Sequence, residues 1–295
     1  MNPKDDAQLV TIGDRQVRLS HLDRVMYPSN GMTKAEVIDY VTRVSPALLH
    51  QLHHRPVTRI RFPEGLGGER FFEKNTPAGA PDWVRRMTMP AAPGAPDEGK
   101  NVTYPFLDDL PSLVWAANQG ALELHTPQWR VDPDGTVHNP DRLVIDLDPG
   151  APAGLAECAS AAHLVADRLR EDGLTTVPVT SGSKGLQLYA ALPGTSTAME
   201  VRAYARALAY ELADRHPDVL VALQRKDLRG GKVLLDWSQN HPAKTTITPY
   251  SMRGRDRPAV AAPRTWAELE DDELRQLTPD EVIARLADLG DLLAS

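Results

Sequence analysis

The chain of 295 residues carries 33 lysines and arginines against 40 aspartates and glutamates, and 41% of its residues are hydrophobic. Such a composition predicts an ordinary globular protein, and its formal net charge of −7 argues against one that only coats nucleic acid, because that binding depends on neutralising phosphates. No apolar run approaches the roughly 18 residues that span a bilayer and no signal peptide is recognisable, so we expect a cytoplasmic protein without a membrane partner.

The first predicted helix is AEVIDYVTRV, near the N-terminus. Thr33 and Glu36 have the spacing of a capping box, which places Lys34 in the first turn. A helix N-terminus offers unpaired N–H groups to an anion, and a lysine beside it adds a positive charge. The segment therefore predicts a candidate phosphate site, and an exposed lysine without a ligand is the simpler alternative.

Basic residues gather in two stretches despite the acidic net charge. The first comprises Arg55, Arg59 and Arg61, and the second runs from residue 225 to residue 257. We expect two local positive faces, and solvated surface charge explains the same pattern equally well.

A pattern with a period of two marks the segment RLVIDLDPG. Two sets of residues alternate along it: Leu143, Ile145 and Leu147, and Val144, Asp146 and Asp148. The pattern predicts one strand that buries the first set and presents both aspartates on its other face.

The segments after this strand predict a helix, two strands joined by a turn, a long helix and a last strand, KVLLDWS. The order β-α-β-β-α-β is the ferredoxin-like arrangement, in which the first and last strands are neighbours. Asp236 should therefore lie beside Asp146 and Asp148. We expect an α/β (α+β) fold with an N-terminal α/β portion, residues 1–139, and a catalytic portion, residues 140–295, in a single compact domain.

Three clustered carboxylates can hold two divalent cations, Mn²⁺ or Mg²⁺, because these ions prefer oxygen ligands. A D-x-D pair alone is weak support, since surface strands often contain one. Carboxylates beside buried strand residues are costly, however, unless they bind a metal or are paired. We interpret Asp146, Asp148 and Asp236 as catalytic metal ligands.

A turn between two predicted strands contains Ser181, Lys184 and two glycines. It offers hydroxyls, backbone N–H groups and one cation to a triphosphate, although an ordinary Gly/Ser hairpin turn is the simpler interpretation of this segment alone. Gln239 and Arg253 follow Asp236, and the planar fork of an arginine suits phosphate.

RLVIDLDPG, TSGSKGLQLY and LLDWSQNHPAKTTITPYSMRGR occur in this order, and together they resemble the polymerase domain of the bacterial end-joining ligases (LigD type), a branch of the archaeo-eukaryotic primase superfamily. LSHLDRVMYP, ERFFEKNTPAGAPDWV, LVWAANQGALELHTPQWR and AAPRTWAEL extend the resemblance over nearly the whole chain. It implies a primase-polymerase fold and a nucleotidyltransferase that adds NTPs, preferably ribonucleotides, to primer 3′ ends at gaps and double-strand breaks.

The resemblance also implies roles for individual residues. Asp146, Asp148 and Asp236 match metal ligands, and the positions that match nucleotide contacts are His125, Ser181, Lys184, Gln239, Arg253 and Arg61. Arg24 and Lys34 match residues that bind the 5′-phosphate of a downstream DNA strand. Phe71 and Phe72 match an aromatic pair that packs on bases near the template, although a core pair would look the same in sequence.

The chain departs from the family pattern at three positions. Gln187 stands where many relatives have a histidine, and Ile60 stands where some have a basic residue, which leaves Arg61 as the expected phosphate contact. Arg24 stands where lysine is common, and this keeps the charge but changes its geometry.

The resemblance implies DNA with gaps or broken ends, NTPs and Ku as partners, in a bacterial cytoplasm at the nucleoid. The sequence contains no K-x-D-G ligase motif, so we expect a stand-alone polymerase whose DNA ligase is a separate polypeptide. Two alternatives remain: a catalytically inactive protein that bridges DNA ends, and a metal-dependent phosphodiesterase. The three retained aspartates argue against the first, because an unused acidic cluster is electrostatically costly.

Overall fold

The structure, a computed structural model, describes residues 7–294. Its strands are β1 (Gln8–Ile12), β2 (Arg15–Leu19), β3 (Val25–Tyr27), β4 (Met32–Thr33), β5 (Thr58–Arg61), β6 (Phe71–Glu73), β7 (Arg86–Pro90), β8 (Asn101–Pro105), β9 (Ala121–Thr126), β10 (Arg142–Pro149), β11 (Thr176–Thr180), β12 (Leu186–Ala191), β13 (Leu220–Val221), β14 (Val233–Asp236), β15 (Thr246–Ile247), β16 (Met252–Arg253), β17 (Ala259–Val260) and β18 (Ala262–Pro263). Its α-helices are α1 (Lys34–Arg43), α2 (Ser45–Leu52), α3 (Leu110–Asn118), α4 (Leu155–Glu171), α5 (Ala198–Arg215) and α6 (Pro279–Leu289). None of these helices is both long and apolar enough to cross a bilayer.

Helices begin where the sequence supplies caps. The backbone N–H of Thr33 donates to the Glu36 carboxylate at 2.6 Å, and the Thr33 hydroxyl accepts from the Glu36 N–H at 3.3 Å. The same reciprocal pair of bonds opens α5 at Thr197, and at the start of α6 the Thr278 N–H donates to the Glu281 carboxylate at 2.9 Å. Each box satisfies N–H groups that a helix start leaves unpaired. The predicted helix start at Lys34 is confirmed.

A six-stranded sheet carries the predicted ferredoxin-like unit. Its strand order is β13-β14-β10-β12-β11-β18, so the strands of the β-α-β-β-α-β unit are arranged with the last beside the first. Both neighbours of β10 run antiparallel to it. β13 and β18 extend the unit at its two edges. The predicted topology is confirmed.

The two faces of β10 have different surroundings. Leu143, Ile145 and Leu147 are buried in the core that α4 and α5 form on one face of the sheet. On the other face Val144 is buried with Ile247 and other residues in a small apolar cluster between the two main sheets. The predicted alternation is therefore confirmed, and the aspartate face is partly covered by the second sheet.

The second main sheet has the order β15-β9-β5-β6. Three of these strands come from the N-terminal portion, whereas β15 follows Asp236 in the chain and pairs antiparallel with β9. Beyond β15, Tyr250, Met252 and Val260 pack in the same core as α1 and α2. The C-terminal portion thus completes both the sheet and the core of the N-terminal portion.

A buried ion pair joins the two portions. Arg55, 2% exposed, donates from Nη2 to both carboxylate oxygens of Asp141, at 2.6 and 2.8 Å. Arg130 approaches the same carboxylate at 2.6 Å. A bidentate arginine–carboxylate pair has a defined geometry, and a buried charge needs such a partner.

The positive face expected at residues 55–61 is wrong. Arg55 and Arg59 are buried, and Arg59 donates to the carbonyl oxygen of Asn75 at 2.6 Å. Their guanidinium groups bond to neighbouring groups inside the protein, so these two arginines do not form a positive surface. Charge pattern alone does not distinguish exposed arginines from buried ones.

Candidate active site

Three carboxylates meet where β10 and β14 run side by side. Asp146 and Asp148 project from the same face of β10, and Asp236 lies opposite Asp146 in the register. Each residue places one carboxylate oxygen within 4.8 Å of the other two. The predicted three-carboxylate cluster is confirmed, and the sheet topology produces it.

The charges of this cluster repel one another. Burial, together with the negative charges of Asp148 and Asp236, raises the pKa of Asp146 to about 8. Burial and Asp236 also raise the pKa of Asp148. A divalent cation would relieve this repulsion, and the donor set consists of the hard oxygens that Mg²⁺ and Mn²⁺ prefer. The residues present therefore fit metal binding.

Hydrogen bonds fix the orientation of the Asp236 carboxylate. Its Oδ1 accepts from the Ser238 N–H at 3.0 Å, the Ser238 hydroxyl at 2.6 Å and the Gln224 amide at 2.7 Å. Oδ2 accepts from the Gln239 amide at 3.2 Å. Since Oδ1 already has three donors, Oδ2 is the better placed oxygen for a cation. Gln239, predicted from the resemblance as a nucleotide contact, thus also touches a metal-ligand candidate.

Gln187 lies opposite Asp146 on β12. Its side-chain nitrogen donates to Asp146 Oδ1 at 3.1 Å, and its oxygen accepts from the Tyr189 hydroxyl at 3.1 Å. The Tyr189 hydroxyl also lies 3.1 Å from the Ile247 carbonyl oxygen. Gln187 therefore presents an uncharged donor to the cluster.

A cavity of about 570 Å³ opens beside the carboxylates, within the size range of ligand pockets. Both main sheets contribute to its wall, which comprises His125, Asp146, Asp148, Ser181, Ser183, Lys184, Gly185, Gln187, Gln239, Thr245, Thr246, Ile247, Arg253 and Arg255. Five of the six predicted nucleotide contacts lie on this wall. Ser183 also lies on the wall and belongs to the turn predicted to bind a triphosphate, whereas Thr245 and Arg255 were not predicted as contacts.

The turn between β11 and β12 forms one side of the cavity, and the Gln276 side chain bonds to both ends of this turn. The Gln276 side-chain oxygen accepts from the Gly182 N–H at 2.6 Å, and its nitrogen donates to the Gly185 carbonyl at 3.1 Å. Gly182 has a φ of +67°, and a side chain there would collide with Arg253 and Val260. Sequence reasoning missed Gln276 because it lies 94 residues from Gly182.

On the side of the cavity opposite this turn, Glu123 contacts several neighbouring residues. It is buried on β9, and its carboxylate accepts from His125 Nε2 at 2.9 Å and from the Gly254 N–H at 3.0 Å. Arg253 Nε lies 3.6 Å from the same carboxylate. The signal that could have found Glu123 is a charged residue within the largely apolar strand ALELHT.

Arg61 lies on β5 and is not among the cavity-lining residues. Its Nε lies 3.1 Å from the Glu73 carboxylate, and it donates to the Gln119 side chain at 3.3 Å. Phe71 lies opposite Arg61 on β6 and is 36% exposed, and Phe72 is 60% exposed. The phenylalanine pair is therefore a surface feature, which excludes the alternative of a core pair.

Arg24 and Lys34 lie together at the start of α1, where the Lys34 N–H donates to the Arg24 carbonyl at 2.8 Å. Lys34 is buried, and its Nζ donates to the carbonyl oxygen of Asn118 at 3.2 Å. Arg24 donates to the Glu64 carboxylate at 2.9 Å. Burial and the charge of Arg24 lower the pKa of Lys34 to about 8. The helix start thus brings two cations together, but its first N–H groups are not free. Those of Lys34 and Ala35 donate to the carbonyls of Arg24 and Leu22, and that of Glu36 donates to the Thr33 hydroxyl, so the predicted N–H contribution to a phosphate site is wrong.

Comparison with known proteins agrees with this geometry. The chain is 45% identical over 279 residues to the multifunctional non-homologous end joining protein LigD of Mycolicibacterium smegmatis, and 45% identical over 285 residues to the DNA repair protein of that name from Mycobacterium tuberculosis. Each alignment covers 95% of this chain but only 36% and 37% of the two relatives. The chain therefore spans little more than a third of their length.

A solved structure of the polymerase domain from Mycobacterium tuberculosis Ligase D in complex with DNA superposes with a TM-score of 0.89 at 45% identity, covering 94% of this chain and 96% of that one. Residues 33–293 match the family described as LigD, primase-polymerase domain. The family match, the fold and the acidic cluster agree, and the chain belongs to the LigD primase-polymerase family of nucleotidyltransferases.

Proposed function

We propose that the protein adds nucleoside triphosphates, with ribonucleotides preferred, to the 3′ end of a primer opposite a template, at DNA gaps and double-strand breaks. The observation that carries this proposal is the position of the three-carboxylate cluster, because two of its members, Asp146 and Asp148, line a cavity walled by Lys184, Arg253 and serine hydroxyls. Carboxylates on one side and cations on the other suit a metal-bound triphosphate.

Asp146, Asp148 and Asp236 would hold two Mn²⁺ or Mg²⁺ ions, which when bound lower the pKa of the primer hydroxyl and neutralise charge on the phosphates. The primer 3′ oxygen attacks the α-phosphorus, and the bond to the departing pyrophosphate breaks. Ser181 and Lys184 donate to the phosphate oxygens, and Arg253 presents its planar fork to them. Gln187 and Gln239 hold the carboxylates in place while the charge redistributes.

A primer–template incubated with Mn²⁺ and labelled NTPs tests this function. Extension by the templated nucleotide supports it, whereas shortening of the primer would favour a phosphodiesterase. Neither product, with DNA still bound, would favour an inactive end-bridging protein. Parallel reactions with dNTPs measure the proposed preference for ribonucleotides, and reactions with Mg²⁺ compare the two cations.

The relatives are named for non-homologous end joining, and we propose that pathway for this chain, with Ku and a separate DNA ligase acting on the same ends. Within it, Arg24 and Lys34 would bind the 5′-phosphate of the downstream strand. Arg61, Phe71 and Phe72 would contact the DNA and the incoming nucleotide outside the cavity. The exposed phenylalanine faces suit stacking on bases.

Lys184→Ala and Arg253→Ala should each raise the apparent KM for NTP by about tenfold or more, because each removes a charge-assisted contact to the triphosphate. Affinity for DNA should change much less. Steady-state extension with varied NTP measures the first effect, and fluorescence anisotropy with labelled DNA measures the second.

Lys100→Ala removes an exposed lysine outside the cavity and is the matched control. An unchanged NTP titration in the two cavity variants would assign Lys184 and Arg253 to structure instead of nucleotide binding. Gln276→Ala should also raise KM, since it frees the turn that carries Lys184.

Gapped DNA with a 5′-phosphate should bind about tenfold more tightly at low salt than the same DNA with a 5′-hydroxyl, since the two cations Arg24 and Lys34 meet a dianion. The preference should fall as salt rises. It should also weaken from pH 7 to pH 9, because Lys34, with its pKa near 8, loses its charge while the phosphate keeps both of its own. Anisotropy titrations across salt and pH measure this.

The double variant Arg24→Ala/Lys34→Met should lose the preference and still extend a simple primer–template. Methionine at position 34 retains the packing of the buried alkyl chain. Equal affinity of the unaltered protein for phosphate and hydroxyl ends would remove the proposed pocket.

A further inference from the structure

Glu123 and His125 project from the same face of β9, because side chains two apart in a strand share a face. One Glu123 oxygen accepts from His125 Nε2 at 2.9 Å. The other accepts from the Gly254 N–H at 3.0 Å and lies 3.6 Å from Arg253 Nε. Glu123 is 3% exposed, so these donors replace the water that a carboxylate otherwise binds.

The contacts define the protonation of both side chains. Burial would raise the pKa of Glu123, but the bonds from His125 and Gly254 and the charge of Arg253 outweigh it and hold that pKa at about 2. Burial lowers the pKa of His125, so the ring is neutral at neutral pH. A neutral imidazole has a single N–H group, and an ionised carboxylate can only accept. The proton of His125 is therefore on Nε2, and Nδ1 carries a lone pair.

His125 lines the cavity, and within residues 7–294 its only side-chain hydrogen bond is the one to Glu123. An Nδ1 lone pair cannot bind phosphate oxygens, because they are acceptors as well. Sugar hydroxyls can donate to it. We propose that Glu123 is a positioning residue that holds His125 in its Nε2–H form, so that Nδ1 accepts a hydrogen bond from a sugar hydroxyl of the nucleotide. The inference rests on the proposed function and assigns a residue that determines sugar specificity.

The first test reads the tautomer directly and needs no activity. Protein labelled with ¹⁵N-histidine gives two ring-nitrogen signals for each histidine, and the spectrum of His125→Gln identifies those of His125. We expect an N–H signal at Nε2 and an unprotonated Nδ1 in the unaltered protein, and a mixture of tautomers in Glu123→Gln, whose amide can donate or accept. A proton on Nδ1, or a spectrum unchanged by Glu123→Gln, would overturn the proposal.

The second test compares kcat/KM for UTP, 2′-deoxy-UTP and 3′-deoxy-UTP, since uracil has no amino group that could donate to Nδ1. The unaltered protein should favour UTP over the analogue that lacks the contacted hydroxyl. Glu123→Gln should reduce that ratio by about threefold to tenfold, the value of one hydrogen bond. Lys184→Ala, which removes a proposed phosphate contact and has no bond to Glu123 or His125, is the control, and it should lower all three values by a common factor.

His125→Gln gives an independent variant, because the glutamine nitrogen can still donate to Glu123 while the Nδ1 acceptor is gone. In this variant the preference for UTP should fall by the same factor as in Glu123→Gln. In the double variant it should fall by no more than in either single variant. A common loss for all three nucleotides in both variants would show that Glu123 has only a structural role. Absence of extension with every nucleotide would contradict the proposed polymerase activity, while the tautomer measurement would still decide the present proposal.

Discussion

Asp146→Ala and Asp148→Ala should each reduce nucleotide addition by about a thousandfold or more, because metal ligands contribute several kcal/mol of transition-state stabilisation. DNA affinity should change little, since the proposed 5′-phosphate contacts, Arg24 and Lys34, lie outside the carboxylate cluster. Single-turnover extension and anisotropy titration measure the two effects. Glu171→Ala, which removes an exposed carboxylate at the end of α4, is the matched control.

Thermal unfolding separates loss of metal from loss of structure. Mn²⁺ should raise the Tm of the unaltered protein, because a ligand that binds only the folded state stabilises it, and should raise the Tm of Asp148→Ala much less. Without metal this variant should be at least as stable as the unaltered protein, since the repulsion between Asp148 and Asp236 is gone. Near-normal extension by either alanine variant would show that the carboxylates are not the metal ligands.

Asp141→Ala should lower the free energy of unfolding by about 3–5 kcal/mol, because it leaves the buried Arg55 guanidinium without its carboxylate. Denaturant unfolding at neutral pH measures the change. Asp134→Ala, which removes an exposed carboxylate nearby, should leave the midpoint almost unchanged.

The double variant Arg55→Met/Asp141→Leu should recover much of the lost stability, since replacing a buried pair by apolar residues is often neutral. If Asp141→Ala unfolds at the same denaturant concentration as the unaltered protein, the ion pair does not stabilise the junction between the two portions.

Local patterns predicted the parts of the site that depend on neighbouring residues. The alternation along β10 predicted which side chains face the cluster, and the element order predicted that Asp236 joins it from 90 residues away in the chain. The capping box predicted the start of α1. The pleat of a strand and the unpaired N–H groups of a helix are short-range rules, whereas the position of Asp236 follows from the order of the elements, which makes the first and last strands neighbours.

The residues that sequence reasoning missed act through long-range contacts. Gln276 reaches the turn at Gly182, and Glu123 reaches the Gly254 N–H across 131 residues. No local sequence motif predicts such long-range hydrogen bonds. Arg59 was misread for the opposite reason, since its charge was visible but its burial depends on packing from other elements. The sequence did not determine whether Phe72 is exposed, because an aromatic residue on a strand fits either a core or a surface.

The pairing of β15 with β9 limits how the protein can be recombined. A chimera that joined the first 139 residues of one relative to the remainder of another would bring together, at this pair of strands, two halves of a sheet selected in different proteins. The nucleotide cavity would also combine His125 from one parent with Arg253 from the other, and their shared partner Glu123 would have to suit both. A viable crossover must therefore carry residues 246–263 together with β9.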